Sequence, residues 1–142
     1  MNQILIEYRS YLIALFIAMI PVYFAVYLHN RNRFNTAADK FRGVILSELE
    51  GIVPVNGFWR QETYPRIQKT VPTVKRAALE FRPAIPFYRK RRFESAVMEY
   101  CEQGESVNWN QATADTIYGD STDKTQKEKF SECVFKLLSF TE

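Results

Sequence analysis

Apolar residues fall along this chain in two distinct ways, first crowded together and then spaced at helical intervals. From Tyr11 to Leu28 run 18 consecutive residues without a formal charge. As a helix that run covers about 27 Å, close to the roughly 30 Å hydrocarbon core of a bilayer. Ile4, Leu5 and Ile6 extend it, and Tyr8, Tyr11, Tyr23 and Tyr27 fit the aromatic belts at the two interfaces. Pro21 is tolerated in a membrane helix, where neighbours and local adjustments satisfy the freed carbonyl. A buried soluble helix of this kind would need covering on every side, and only 109 residues follow from Phe34 onward. The pattern predicts a tail at 1–10 and a transmembrane helix at 11–28. The competing reading is a cleaved signal peptide, whose apolar region is normally about 7–15 residues with small residues after it. Here the run ends in His29-Asn30-Arg31-Asn32-Arg33, and Thr36-Ala37-Ala38 begins eight residues beyond Leu28, a flank that suits an anchor better.

Beyond Leu28 the spacing becomes that of amphipathic helices. Phe34, Phe41, Ile45 and Leu49 predict a juxtamembrane helix over 29–50, ended by Gly51, Pro54 and Gly57, with 52–57 a connecting loop. Ile67, Val71, Val74, Ala78 and Phe81 mark a second stripe, in which Pro72 predicts a kink or restart and which Pro83 and Pro86 stop. Phe93, Val97, Tyr100 and Cys101 give a third helical face, closed by Gly104. Residues 105–122, with Val107, Trp109, Ile117 and Tyr118 amid polar residues, read as loop with room for a short β hairpin. A last helix starts at Asp123 or Lys124 and carries Phe130, Cys133, Val134, Leu137 and Leu138. The fold class is mainly α: one N-terminal transmembrane helix, then a small domain of three to four helices, assigned to 51–142.

Part of this stretch resembles a known family. Phe81-Arg82-Pro83, Pro86, Arg91-Arg92-Phe93, Ala96 and Tyr100-Cys101, with Leu137-Leu138-Ser139-Phe140, are similar to an uncharacterised family of short bacterial proteins that have an N-terminal membrane helix and a helical domain. The likeness spans residues 38–140. It implies a bacterial source, hence an inner-membrane location, and an anchored layout. It implies no activity.

Orientation rests on the flanking cations. Arg9 and the terminal amine lie upstream, whereas Arg31, Arg33, Lys40 and Arg42 lie within about 15 residues downstream. The positive-inside rule puts the N-terminus outside and the helical domain in the cytoplasm. A reducing compartment suits Cys101 and Cys133, and a bridge between them is the alternative if the domain were outside.

Reactive chemistry is sparse. One His and two Cys cannot supply a His- or Cys-rich zinc site, and none of the five Gly lies in a nucleotide-loop motif, so neither metal nor cofactor is expected. His29, at the membrane boundary, reads as an interfacial anchor rather than a base. Both cysteines sit on apolar stripes, where a thiol packs as a small hydrophobe. Glu99 with Glu102, and Glu128 with Glu132, read as solvated faces, the second pair neutralised by Lys124 and Lys136. No set of residues forms an active-site constellation, and an enzyme ranks third among the readings.

Charge is the feature that stands out. Residues 1–92 hold 15 Lys and Arg against 6 acids, a net of +9, and residues 93–142 hold 4 against 10, a net of −6. A split this large concerns partners. Its densest part, Arg82 with Arg89, Lys90, Arg91 and Arg92 beside Phe87, Tyr88 and Phe93, is the candidate anion-binding segment. Ser10, Ala14 and Ala18 recur every fourth residue, a small-residue pattern that suits close packing of membrane helices and suggests self-association or a membrane partner. The first functional expectation is a non-enzymatic, membrane-anchored interaction protein whose domain docks on a partner protein or assembly. The second is an anion-binding module contacting phospholipid head groups, with nucleic-acid phosphates less favoured because no recognition motif accompanies the charges.

Overall fold

The computed structural model describes residues 2–53, 59–108 and 125–142, with side chains from Tyr11 onward. Among these residues there are four helices and no strands: α1 (Asn2–Glu48), α2 (Thr63–Phe81), α3 (Phe87–Ser106) and α4 (Gln126–Leu138). Single 3₁₀ turns follow α2 at Arg82–Ala84 and α4 at Ser139–Thr141. The expected hairpin, with Trp109, Ile117 and Tyr118, and the expected helix start at Asp123 or Lys124 lie outside the described residues.

The chain divides into two compact units, Met1–Asn35 and Thr36–Glu142. In the first, every side chain from Tyr11 to Leu28 is exposed, from the aliphatic Ile17 and Ile20 to Phe16 at 72%. Among the described residues α1 is the one helix long and apolar enough to cross a membrane, and its apolar window is not buried at all. Pro21 sits inside it without ending it.

The second unit is the helical domain, and it begins earlier than Gly51. Ala38, Phe41, Ile45 and Leu49 are buried at spacings of a helical stripe, so the last part of α1 is also a core helix of the domain. The Ile52 and Val53 N–H groups then both donate to the Leu49 carbonyl, at 2.9 and 3.1 Å. Gly51 adopts φ +76°, the left-handed conformation in which glycine costs least at a helix C-terminus.

α2 buries Tyr64, Ile67, Thr70, Val71, Val74, Ala78 and Phe81. The predicted break at Pro72 is absent, and the helix is a single element across it. Pro72 lies on the exposed face, where water can satisfy the Gln68 carbonyl that loses its donor. α3 buries Phe93, Ala96, Tyr100 and Gly104, and it runs past Gly104 rather than ending there. A Cβ built on Gly104 would lie 2.5 Å from Val71 Cγ2, so this glycine is where α3 presses against α2. At α4 the Thr125 hydroxyl accepts the Glu128 N–H while the Glu128 carboxylate accepts the Thr125 N–H, a reciprocal cap of two otherwise unpaired donors.

Successive helices run antiparallel, as two layers of aromatic contacts show. In one layer Phe41 of α1 stacks on Phe81 at 4.9 Å and meets Phe93 edge-on at 5.7 Å, and Phe93 meets Phe140 at 5.4 Å. In the other, Trp59 meets Tyr64 and Phe130 edge-on at 5.8 and 5.7 Å, and Tyr100 lies against Phe130 at 5.4 Å. Each such pair is worth about 0.5–1.5 kcal/mol beyond its buried area. The Trp59 indole donates to the Ile52 carbonyl at 3.2 Å, which ties the second layer to the turn after α1. Thr70 is the one buried polar residue among those described, and its hydroxyl bonds both the Ile67 carbonyl at 2.7 Å and the Tyr100 hydroxyl at 3.0 Å.

Candidate anion-binding surface

The basic segment spans the 3₁₀ turn after α2 and the first turns of α3. Pro83 is the second residue of the turn, Ile85 is extended as expected before a proline, and Pro86 occupies the N-cap of α3. No acid stands in the first turn of α3, although the helix macrodipole favours one there. Instead the first six residues are Phe87, Tyr88, Arg89, Lys90, Arg91 and Arg92.

One helical turn separates these cations into two groups. Arg89 shares the direction of Phe93 and the core. Its guanidinium donates to the Ser139 carbonyl at 3.1 Å and lies over the Phe140 ring, 5.3 Å from the centroid. Arg82 is likewise occupied, its Nε donating to Glu94 Oε1 at 2.6 Å. The Lys90, Arg91 and Arg92 side chains form no hydrogen bond or ion pair with any of the described residues. Phe87 is 90% exposed and Tyr88 79% exposed, the two most exposed large apolar side chains described. Helix geometry sets Phe87 three and four residues before Lys90 and Arg91, and Tyr88 at the same intervals before Arg91 and Arg92. The surface therefore interleaves two aromatic rings with three uncommitted cations.

The other candidate groups are packed, bridged, capping or exposed. Cys101 is half-buried and Cys133 buried, and both are free thiols. Burial pushes both thiol pKa values up, which opposes the thiolate a nucleophile needs. Glu99 is held by Lys136 across the α3–α4 contact, so Lys136 reaches Glu99 rather than serving only its own helix. Glu128 is committed to the α4 cap. His29 is exposed on α1. No group of three or more His, Cys, Asp or Glu among the described residues could hold a metal ion. A shallow groove of about 270 Å³ lies between α1 and α2 within the domain, lined by Phe41, Val44 and Phe81 with Lys40, Arg76 and Glu80 at its polar edge. There Lys40 bridges to Glu80 at 2.7 Å, and that contact pulls the Glu80 carboxyl below its ordinary range. Of the small-residue pattern, Ala14 and Ala18 are exposed on α1, and the Ser10 side chain lies outside those described.

No protein family, curated protein or solved structure matches this chain. What the protein does is read from its own geometry.

Sequence reasoning did not single out Trp59, Thr70 or the Thr125–Glu128 cap. The cap had a local signal, Thr-x-x-Glu ahead of an apolar stripe. Thr70 and Trp59 had none, because their partners are Tyr100 and Ile52, brought to them by the fold.

Proposed function

We propose that this chain is a non-enzymatic, membrane-anchored interaction protein of a bacterial inner membrane, its helical domain docking on a partner protein or assembly from the cytoplasmic side. The observation that carries the reading is the exposure of every side chain from Tyr11 to Leu28 on one unbroken helix. So large a contiguous apolar surface in water would be an aggregation liability, whereas lipid covers it at no cost. Apart from the carbonyl that Pro21 leaves without its donor, backbone groups in that stretch are satisfied within the helix, as a hydrocarbon environment demands. The excess of Arg31, Arg33, Lys40 and Arg42 over Arg9 supports a cytoplasmic domain. Action by contact rather than catalysis is supported by the inert character of the thiols and by carboxylates engaged in the Glu99–Lys136 and Glu80–Lys40 bridges and the Glu128 cap.

Topology is the test. Reporters that work only in the cytoplasm or only outside it, each fused after Glu142, should give signal from the first and none from the second. The reverse pattern would overturn the orientation. Intact-mass measurement of the membrane-extracted fusion should return the full chain, and a species beginning after residue 28 would replace the anchor by a cleaved signal.

A further inference from the structure

We propose that the N-terminal end of α3, through Phe87, Tyr88, Lys90, Arg91 and Arg92, docks on the anionic surface of the bilayer that anchors the chain. The inference rests on the anchored reading and names the surface the domain meets. Three observations converge on a lipid head-group layer as the occupant.

The first is composition in space. Phe87 and Tyr88 expose nearly their whole rings beside three cations that no described residue engages. Aromatic rings flanked by Lys and Arg suit the interface of a membrane, where the ring enters the head-group region and the charge meets phosphate. A solvated charge run has no use for two bare rings.

The second is compensation. Two of the acids at this end are held by other cations, Glu80 by Lys40 and Glu94 by Arg82, and neither Asp39 nor Glu142, exposed at the same end, pairs with Lys90, Arg91 or Arg92. Lys90, Arg91 and Arg92 therefore keep their charges unbridged at one end of the domain, although the chain beyond Arg92 carries a net of −6.

The third is position within the domain. Thr36 begins this unit, and Lys40 and Phe41, one turn on, pair with Glu80, Phe81 and Phe93. The opposite end is marked by Arg66 donating to the Glu50 carbonyl and by Tyr100 against Thr70. α3 thus starts at the end of the domain where the chain arrives, and Thr36 is only eight residues past Leu28 in the chain. A short covalent link between anchor and domain makes binding of the basic end to the same bilayer effectively intramolecular.

The experiment uses the full chain in nanodiscs of phosphatidylcholine alone or with phosphatidylglycerol, with bromine on the lipid acyl chains as a contact quencher. A Phe87→Trp variant supplies the probe, and the wild type, with Trp59 and Trp109, supplies the background. Co-elution with discs reports on the anchor by itself; a chain that stays outside the discs would overturn the anchoring on which both readings rest. Given co-elution, the added tryptophan should be quenched in anionic discs and much less in zwitterionic ones. The difference should shrink as salt rises. It should vanish in a Lys90→Gln/Arg91→Gln/Arg92→Gln background and survive in the charge-keeping Lys90→Arg/Arg91→Lys/Arg92→Lys one. Equal quenching in the two kinds of disc, or none in either, would overturn the docking while leaving the anchor intact. Retention of a labelled oligonucleotide by the discs without lipid quenching would assign the surface to nucleic acid instead.

Discussion

Tyr100 has no exposed surface, and its hydroxyl reaches a single described polar partner, Thr70. Burial pushes its pKa up to about 12, since the core disfavours the phenolate more than the Thr70 bond helps it. Unfolded, the same group titrates near its ordinary value of about 10. Below that value both states are protonated and the contribution to stability is complete. Between about 10 and 12 the unfolded chain releases a proton that the folded one keeps, so stability falls as pH rises, by roughly 2–3 kcal/mol in all. Burial raises both thiol pKa values as well, which adds a loss of the same sign beginning lower in the alkaline range. Urea unfolding of the full chain in detergent, followed by tryptophan emission, should show this alkaline decline. Tyr100→Phe should flatten its upper part while lowering stability near neutrality by about 1 kcal/mol, the usual worth of one buried hydrogen bond. An unchanged slope in the variant would remove Tyr100 as the cause. Tyr100 was legible as a core position from its spacing with Phe93, but Thr70 was not, because a hydroxyl on a helix reads as solvent-facing until a partner 30 residues away covers it. The same holds for Arg89. In sequence its four-residue spacing to Phe93 sets it apart from the three cations that follow, but only the fold supplies its partner, Ser139, 50 residues on.

At the level of helices, the apolar stripes of α2, α3 and α4 could be read from spacing, because packing against one neighbour imposes a 3.6-residue period. Where they end and how closely they pack could not. Gly104 is the clearest case. In a sequence it resembles a terminator, yet α3 continues to Ser106 because the residue is needed small, not left-handed. Gly104→Ala would gain about 1 kcal/mol of helix propensity, since glycine is the poorer helix former. Against that, the new methyl would sit 2.5 Å from Val71 Cγ2, and Val71 is buried and stiff at χ1. Overpacking of this kind costs about 1–3 kcal/mol, so the net effect should be destabilising. Adding Val71→Ala should recover part of the loss, and the two changes together should cost less than their sum. Additive costs in that cycle, measured by thermal unfolding of the full chain, would mean that the two helices do not meet closely at this point.

Over the whole molecule, two kinds of surface share one chain. Among the described residues, the domain from Thr36 onward buries eight aromatic rings in two layers, whereas the segment from Tyr11 to Leu28 buries none. That contrast was visible in the sequence because it needs no long-range contact: 18 uncharged residues in a row differ from any amphipathic stripe. It also fixes how the molecule should fail. Ile17 and Ile20 lie near the middle of the run, and Arg at a helix centre costs about 2.5–3.5 kcal/mol per residue to insert. Ile17→Arg/Ile20→Arg should therefore lose roughly 5–7 kcal/mol of insertion free energy, enough to abolish stable anchoring. Snorkelling offers little relief, because both positions are several residues from either interface. The variant chain should move to the soluble or aggregated fraction on carbonate extraction, while Ile17→Leu/Ile20→Leu should stay with the membrane. The helical domain should be untouched by either change, so the Trp59 environment in detergent should match the wild type. A double-Arg variant that still resists extraction would mean that some surface other than α1 holds the protein to the membrane.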